Sequence, residues 1–168
     1  TCALPIFEHV NERIAIDGQQ LSDDDFVDTW DQIKDLVAMV DMKMEELDKP
    51  KMSFFEVLTA MAIWKFADAP VDVAIVEVGM GGRWDATNVL DADAAIIGPI
   101  DMDHMAWLGN TVEQIASEKV GIIKPGCTAV IGRQPHEEAV MPIIEEAAAE
   151  NHANLVRDGI EAEIGRAH

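Results

Sequence analysis

Two places in this sequence combine residue types that do chemistry with neighbours that would present them. Glu77 interrupts an apolar run, Val71 to Val78, near its end, and Gly79-Met80-Gly81-Gly82 follows directly; Asp101-Met102-Asp103-His104 follows a second apolar run, Ala92 to Gly98. In open α/β sheets, ligands bind beyond the carboxyl ends of the strands, and that rule selects these two places. A carboxylate inside such a strand needs a partner or a metal, because burying it alone costs several kcal/mol. Glu77 with His104, joined by Asp101 or Asp103, offers hard oxygens plus one imidazole, a set suited to Mg²⁺ or Mn²⁺ with positions left for phosphate oxygens and water. An ion pair to Arg83 or Arg13 accounts for Glu77 equally well, and a lone His104 reads as a structural hydrogen-bonding group. Lys119 and Lys124 flank Val120 to Ile123; desolvation would favour a neutral, reactive amine at either, while a surface lysine paired with Glu118 is the plainer account.

The glycines do not form a nucleotide fingerprint. The dinucleotide motif needs glycine at position 84, where Trp84 stands, and no Gly-Lys pair of the phosphate-loop type occurs in the 168 residues. They therefore serve a sharp turn or close backbone approach, as in a loop lying over a flat ligand.

Around these residues the chain alternates strands and helices. Arg13 to Asp17 reads as a short strand ending in a turn at Gly18. Ser22-x-x-Asp25 resembles a capping box before a long helix whose Phe26, Trp30, Ile33, Val37, Val40, Met44 and Leu47 share one face, assigned to core packing. Ser53-x-x-Glu56 opens a second helix, with Met52 and Val57 placed as a staple, running to about Ala67. Val71 to Val78 has the near-continuous β-branched character of a strand buried on both faces. Ala92 to Gly98, Thr128 to Gly132 and Asn154 to Arg157 are further strands, a helix starts near Asn110 or Thr111, and another covers Glu137 to Glu150, with Pro142 expected to mark its true first turn. The pattern is an α/β fold, an open, mostly parallel sheet flanked by helices.

The chain carries 12 Lys and Arg against 32 Asp and Glu, a formal charge of −20, with 49% hydrophobic residues. That is enough for a real core, and the negative surface argues against nucleic-acid and membrane partners, so a polyanionic ligand needs an intervening cation. No apolar run approaches a bilayer span, which reads as a cytoplasmic protein. Cys2 and Cys127 lack zinc-type spacing, and Cys127 reads as a small apolar filler. Thr1 to Ile6 (TCALPI) and Glu163 to His168 (EIGRAH) resemble translated sequencing adaptor, which leaves 7–162 as the expected native segment.

Taken in order, Asn11-Glu12-Arg13-Ile14, Phe55-Glu56, Glu77-Val78-Gly79-x-Gly81-Gly82-Arg83-x-Asp85-Ala86-Thr87-Asn88, Asp103-His104, Leu108-Gly109-x-Thr111 and Glu118-Lys119-x-Gly121-Ile122-Ile123-Lys124 resemble the folylpolyglutamate synthase/dihydrofolate synthase family of the Mur ligase superfamily. The resemblance implies part of the central ATP-binding domain of such a ligase, with the phosphate-binding loop upstream and the C-terminal domain downstream of these residues. It implies a ligase that uses ATP to activate a carboxylate as an acyl phosphate, which the glutamate amine then attacks, with dihydropteroate or a folate as the other substrate. Glu77 and His104 match magnesium ligands; Lys119 matches a lysine that is carbamylated and helps hold a second metal; Ser53, Phe54, Phe55, Glu56, Trp84, Asp85 and Ala86 match pterin-contacting segments. Two Mg²⁺ ions, ATP as co-substrate, a monovalent cation such as K⁺ and a monomeric intact enzyme are implied as well. Gly98-Pro99-Ile100-Asp101 departs from the more common Thr-Ser-Ile-Gly, and Val120 stands where alanine is usual. The 168 residues alone are expected to be inactive. Another Mur-type ligase acting on a UDP-linked precursor, or a non-catalytic acidic metal-binding domain, are the competing readings.

Overall fold

The computed structural model describes residues 9–102 and 108–161, in two compact units divided between Val76 and Glu77. In the first unit a short 3-10 helix, Val10–Arg13, leads into a two-stranded antiparallel hairpin, β1 (Ala15–Ile16) and β2 (Gln19–Gln20). Asp17 and Gly18 both take positive φ, 53° and 74°, the Asp-Gly signature of a tight hairpin turn. The buried Asn11 side chain ties this hairpin to the next helix, its Nδ2 donating to Leu21 O at 2.8 Å and to Asp23 Oδ1 at 3.0 Å.

Helix α1 spans Asp23–Glu46, capped by Ser22, whose hydroxyl accepts from Asp25 N–H. Helix α2 spans Phe54–Asp68, and its capping box forms as the spacing predicts: Glu56 N–H donates to Ser53 Oγ and Ser53 N–H donates to Glu56 Oε2 at 2.6 Å. Ile33 and Val37 of α1 pack with Leu58 and Met61 of α2, joined by Ile14 and Leu21. The expected α1 stripe is buried only in part, since Trp30, Val40 and Leu47 are exposed. At about 1.5 Å per residue, a 15-residue helix cannot cover the whole face of a 24-residue one.

Val71 to Val78 differs from its sequence reading: it has no strand partner among the described residues, and Val73 and Ile75 are 78% and 92% exposed. Its β-branched side chains encode a demand for cover on both faces, but a strand exists only where neighbouring backbones complete its ladder.

The second unit carries the parallel sheet, β3 (Ala94–Ile97), β4 (Thr128–Ile131) and β5 (Asn154–Arg157), in that spatial order with β4 central. Side chains alternate across it. Ala95, Ile97, Ala129 and Ile131 enter the core against Ile115 and Ala116 of α3 (Val112–Lys119) and Val140, Met141 and Ile144 of α4 (Glu137–Glu150), whereas Ile96 on the opposite face is 72% exposed. Cys127 is buried in this core, as its filler reading requires. Pro142 lies in the second turn of α4, where a first-turn position was expected. It is exposed, so the Glu138 carbonyl that loses its N–H partner there faces water, and the buried Val140, Met141, Ile144 and Ala148 hold the helix across the break. No described helix is long and apolar enough to cross a membrane.

Candidate functional site

The loop from Gly79 to Asn88 is built by its own polar residues and then seated by missing side chains. The Asp85 carboxylate accepts from Met80 N–H at 2.9 Å through Oδ2, and from Thr87 N–H at 2.9 Å and Thr87 Oγ1 at 2.6 Å through Oδ1, which closes the loop and caps a 3-10 turn, Ala86–Val89. Asn88 Nδ2 donates back to Arg83 O at 3.0 Å.

The folded loop lies against the last turn of α3. Arg83 N–H donates to Glu118 O at 2.9 Å, and the Arg83 guanidinium reaches Ser117 O, placing a cation at the carboxyl end of the helix where the helix dipole favours it. The approach is of backbone on backbone. A Cβ on Gly82 would stand 2.7 Å from Glu118 O and 2.9 Å from Lys119 O; one on Gly121 would stand 2.6 Å from both Cα and Cβ of Arg83. Lys124, half-buried, donates from Nζ to Asn88 O at 2.7 Å and anchors the far end of the loop. Close approach is thus the role of Gly82, one of the two alternatives the sequence left open for the Gly79 to Gly82 loop, and equally of Gly121, to which the sequence reading gave no role.

The segment leading from Glu77 is in this way brought to the turn that bears Lys119. Glu77 is exposed and makes no ion pair among the described residues, so the pairing with Arg83 does not form; Arg83 is directed to the α3 carboxyl end. Lys119 is half-buried at the end of α3, and its pairing with Glu118 is absent as well. His104 and Asp103 lie outside the described residues. Among the described residues no three His, Cys, Asp or Glu side chains gather as a metal site. Asp101 is exposed, its carboxyl held below the ordinary aspartate value first by the Met102 N–H at 2.7 Å and then by His136, whose Nε2 lies 3.1 Å from Asp101 Oδ1.

The residues matched to pterin contacts fall in both units. In the first, Ser53 and Glu56 form the capping box and Phe54 is 65% exposed, with Phe55 half-buried; in the second, Trp84 is 86% exposed, while Asp85 and Ala86 are half-buried in the loop. Two large rings held out to solvent beside carboxylates are surfaces a flat heterocycle can use. Sequence reasoning passed over Gln134, which sits just past the carboxyl end of β4; the strand-end rule that selected Glu77 and Asp101 would have selected it too.

No protein-family model matches the chain. It is similar to a dihydrofolate synthase/folylpolyglutamate synthase of Mycobacterium tuberculosis, 47% identical over 164 residues that cover 92% of this chain and 33% of that protein. Among solved structures it is similar to Mycobacterium tuberculosis folylpolyglutamate synthase complexed with ADP and AMPPCP, with a TM-score of 0.83 at 49% identity over 90% of this chain and 34% of that one. An FPGS–AMPPCP–folate complex matches with a TM-score of 0.80 at 30% identity over 92% of this chain and 36% of its own. The chain spans about a third of the length of the curated relatives it matches. Over that stretch the chain is a homologue of the dihydrofolate synthases/folylpolyglutamate synthases and shares their fold.

Proposed function

We propose that the chain contributes to an ATP-dependent ligase that joins L-glutamate to dihydropteroate or to the glutamate tail of a folate. A substrate carboxylate oxygen attacks the γ-phosphorus of ATP and ADP leaves; the glutamate nitrogen then attacks the acyl carbon of the acyl phosphate, loses a proton and expels inorganic phosphate. The observation that carries the reading is the seating of the Glu77 to Asn88 loop on the Lys119 turn through Gly82 and Gly121. The AMPPCP and folate held by a protein of the same fold support both substrate classes.

In this reading Glu77 and His104 hold Mg²⁺. Glu77 suits the task, being a hard oxygen donor with no described cation to displace. When bound, the ion supplies charge neutralisation between the phosphate oxygens and the substrate carboxylate, which a chain of net charge −20 cannot provide itself. Lys119, carbamylated by attack of its neutral amine on CO₂ with loss of a proton, becomes a carboxylate-like donor for a second cation. Of the residues matched to pterin contacts, Trp84 in the second unit offers an exposed ring face, and in the first unit Glu56, with one oxygen spent on the helix cap, keeps the other to accept N–H groups.

The test follows Trp84. Pteroate titrated into the chain is expected to quench tryptophan emission, an effect that Trp84→Phe removes, while a UDP-linked sugar leaves emission unchanged. The 168 residues alone are expected to incorporate no glutamate in the presence of ATP, Mg²⁺ and pteroate. Quenching by the UDP-sugar in place of pteroate would transfer the chain to a different ligase, and turnover above background would show that one third of the relatives' length suffices.

A further inference from the structure

Two side chains of the second unit reach backbone 36 residues away. Gln134 closes the ends of two strands: Nε2 donates to Gly132 O at 2.7 Å and to Gly98 O at 3.0 Å, and Oε1 accepts from Ile100 N–H at 2.9 Å. Lys124 reaches a loop instead. Its Nζ donates to Asn88 O at 2.7 Å, although Asp91 and Asp93 line the same hollow, and Lys124 makes no ion pair among the described residues. A charged donor at that distance forms a strong hydrogen bond even to a neutral carbonyl. The base of the reach is rigid. Ile123 and Cys127 on either side are buried in the core, Cys127 N–H donates to Lys124 O at 3.2 Å across Pro125-Gly126, and Gly126 takes the positive φ, 74°, that a Pro-Gly turn of type II requires. Asn88 ends the stretch that begins at Arg83, whose N–H is held by Glu118 O. Trp84 therefore stands on a span fixed at both ends, one on α3 and one on Lys124. The closed span carries a cost, since Asn88 Oδ1 is buried without a partner among the described residues and reaches water when the span opens. The Lys124 bond offsets that cost.

We propose that Lys124 is a positioning residue for the pterin contact made by Trp84: its ammonium group holds the Asn88 end of the span and thereby fixes where the exposed indole stands. The inference rests on the reading of Trp84 as a pterin contact. Without the bond to a charged donor the span opens, and a ligand that needs the closed span binds more weakly in proportion to the fraction still closed.

The experiment titrates pteroate into the 168-residue chain and follows the part of the tryptophan quench that Trp84→Phe abolishes. It compares the unaltered chain with Lys124→Met, Lys124→Gln and Lys124→Arg, at low and at high salt, with amide exchange on the same samples. Lys124→Met keeps the apolar stem and removes the donor. It is expected to weaken pteroate binding about tenfold, in high salt as in low. Exchange should quicken at Asn88 and Leu90, whose N–H groups donate within the turn, while the β3 and β4 ladder amides keep their protection. Lys124→Arg retains a charged donor and should recover most of the affinity. Unchanged pteroate affinity in Lys124→Met overturns the inference alone, as does an arginine that restores none of it. A loss that high salt abolishes overturns it too, because it would report only attraction of an anionic ligand. An unaltered chain whose emission pteroate does not quench through Trp84 overturns the pterin reading and this inference with it. Should Lys124→Met lose ladder protection, Lys124→Gln is judged by the same criteria.

Discussion

Replacing Gly121 by alanine tests whether the Gly79 to Asn88 loop is seated by backbone contact. The new Cβ would meet Arg83 Cα and Cβ at 2.6 Å and Arg83 N at 2.8 Å, well inside contact distance and against backbone that cannot rotate away. Forcing a methyl group into a packed contact costs about 1–3 kcal/mol. The upper end applies because the strain falls beside the Arg83 N–H to Glu118 O hydrogen bond, itself contributing about 1 kcal/mol net. Gly98→Ala is the control: its Cβ meets nothing within 4 Å and its φ is not positive, so it should be neutral, or stabilising by about 0.4–1 kcal/mol through the unfolded chain. Gly82→Ala strains the same contact from the other side, against Glu118 O and Lys119 O, so the Gly82→Ala/Gly121→Ala pair should cost less than the sum of its parts. Urea denaturation gives the free energies and amide exchange at Arg83 gives the loop contact. If Gly121→Ala matches Gly98→Ala in stability and Arg83 stays protected, the loop is not held by close backbone approach, and the link from the Glu77 segment to the Lys119 turn falls.

Three further outcomes test the local chemistry. Ser53→Ala removes one half of the capping box and should destabilise α2 by about 1 kcal/mol in thermal unfolding; Glu56→Gln retains most of the cap yet should weaken pteroate binding, so equal effects of the two on binding would reduce Glu56 to a purely structural role. Arg157 holds the Glu161 carboxyl down from an ordinary 4.5 to about 2 by hydrogen bonding. A carboxylate with a depressed folded value stabilises the fold above its unfolded value, and that contribution fades as pH falls from about 4.5 to about 2. Glu161→Gln should flatten this acid limb of the melting curve and leave neutral pH little changed; an unaltered limb would mean that the pair carries no linkage.

The linear order of residues determined whatever depends on near neighbours. The Asp17-Gly18 turn, the Ser53/Glu56 box and the bounds of β5 are set by spacing of two to four residues, and each forms as read, whereas β3, read as a buried strand, leaves the face that bears Ile96 exposed. The Glu77 to Asn88 motif likewise carries its own closure, since Asp85, Thr87 and Asn88 bond within the loop. Three matters needed the tertiary structure: how much of the α1 stripe is covered, which depends on the length of the helix laid on it; whether Val71 to Val78 gains a ladder, which depends on other backbones; and what Gly82, Gly121, Lys124 and Gln134 do. Those four act on backbone 34 to 38 residues away in the chain, and only folding reveals which carbonyl stands opposite an absent Cβ or an outstretched amide.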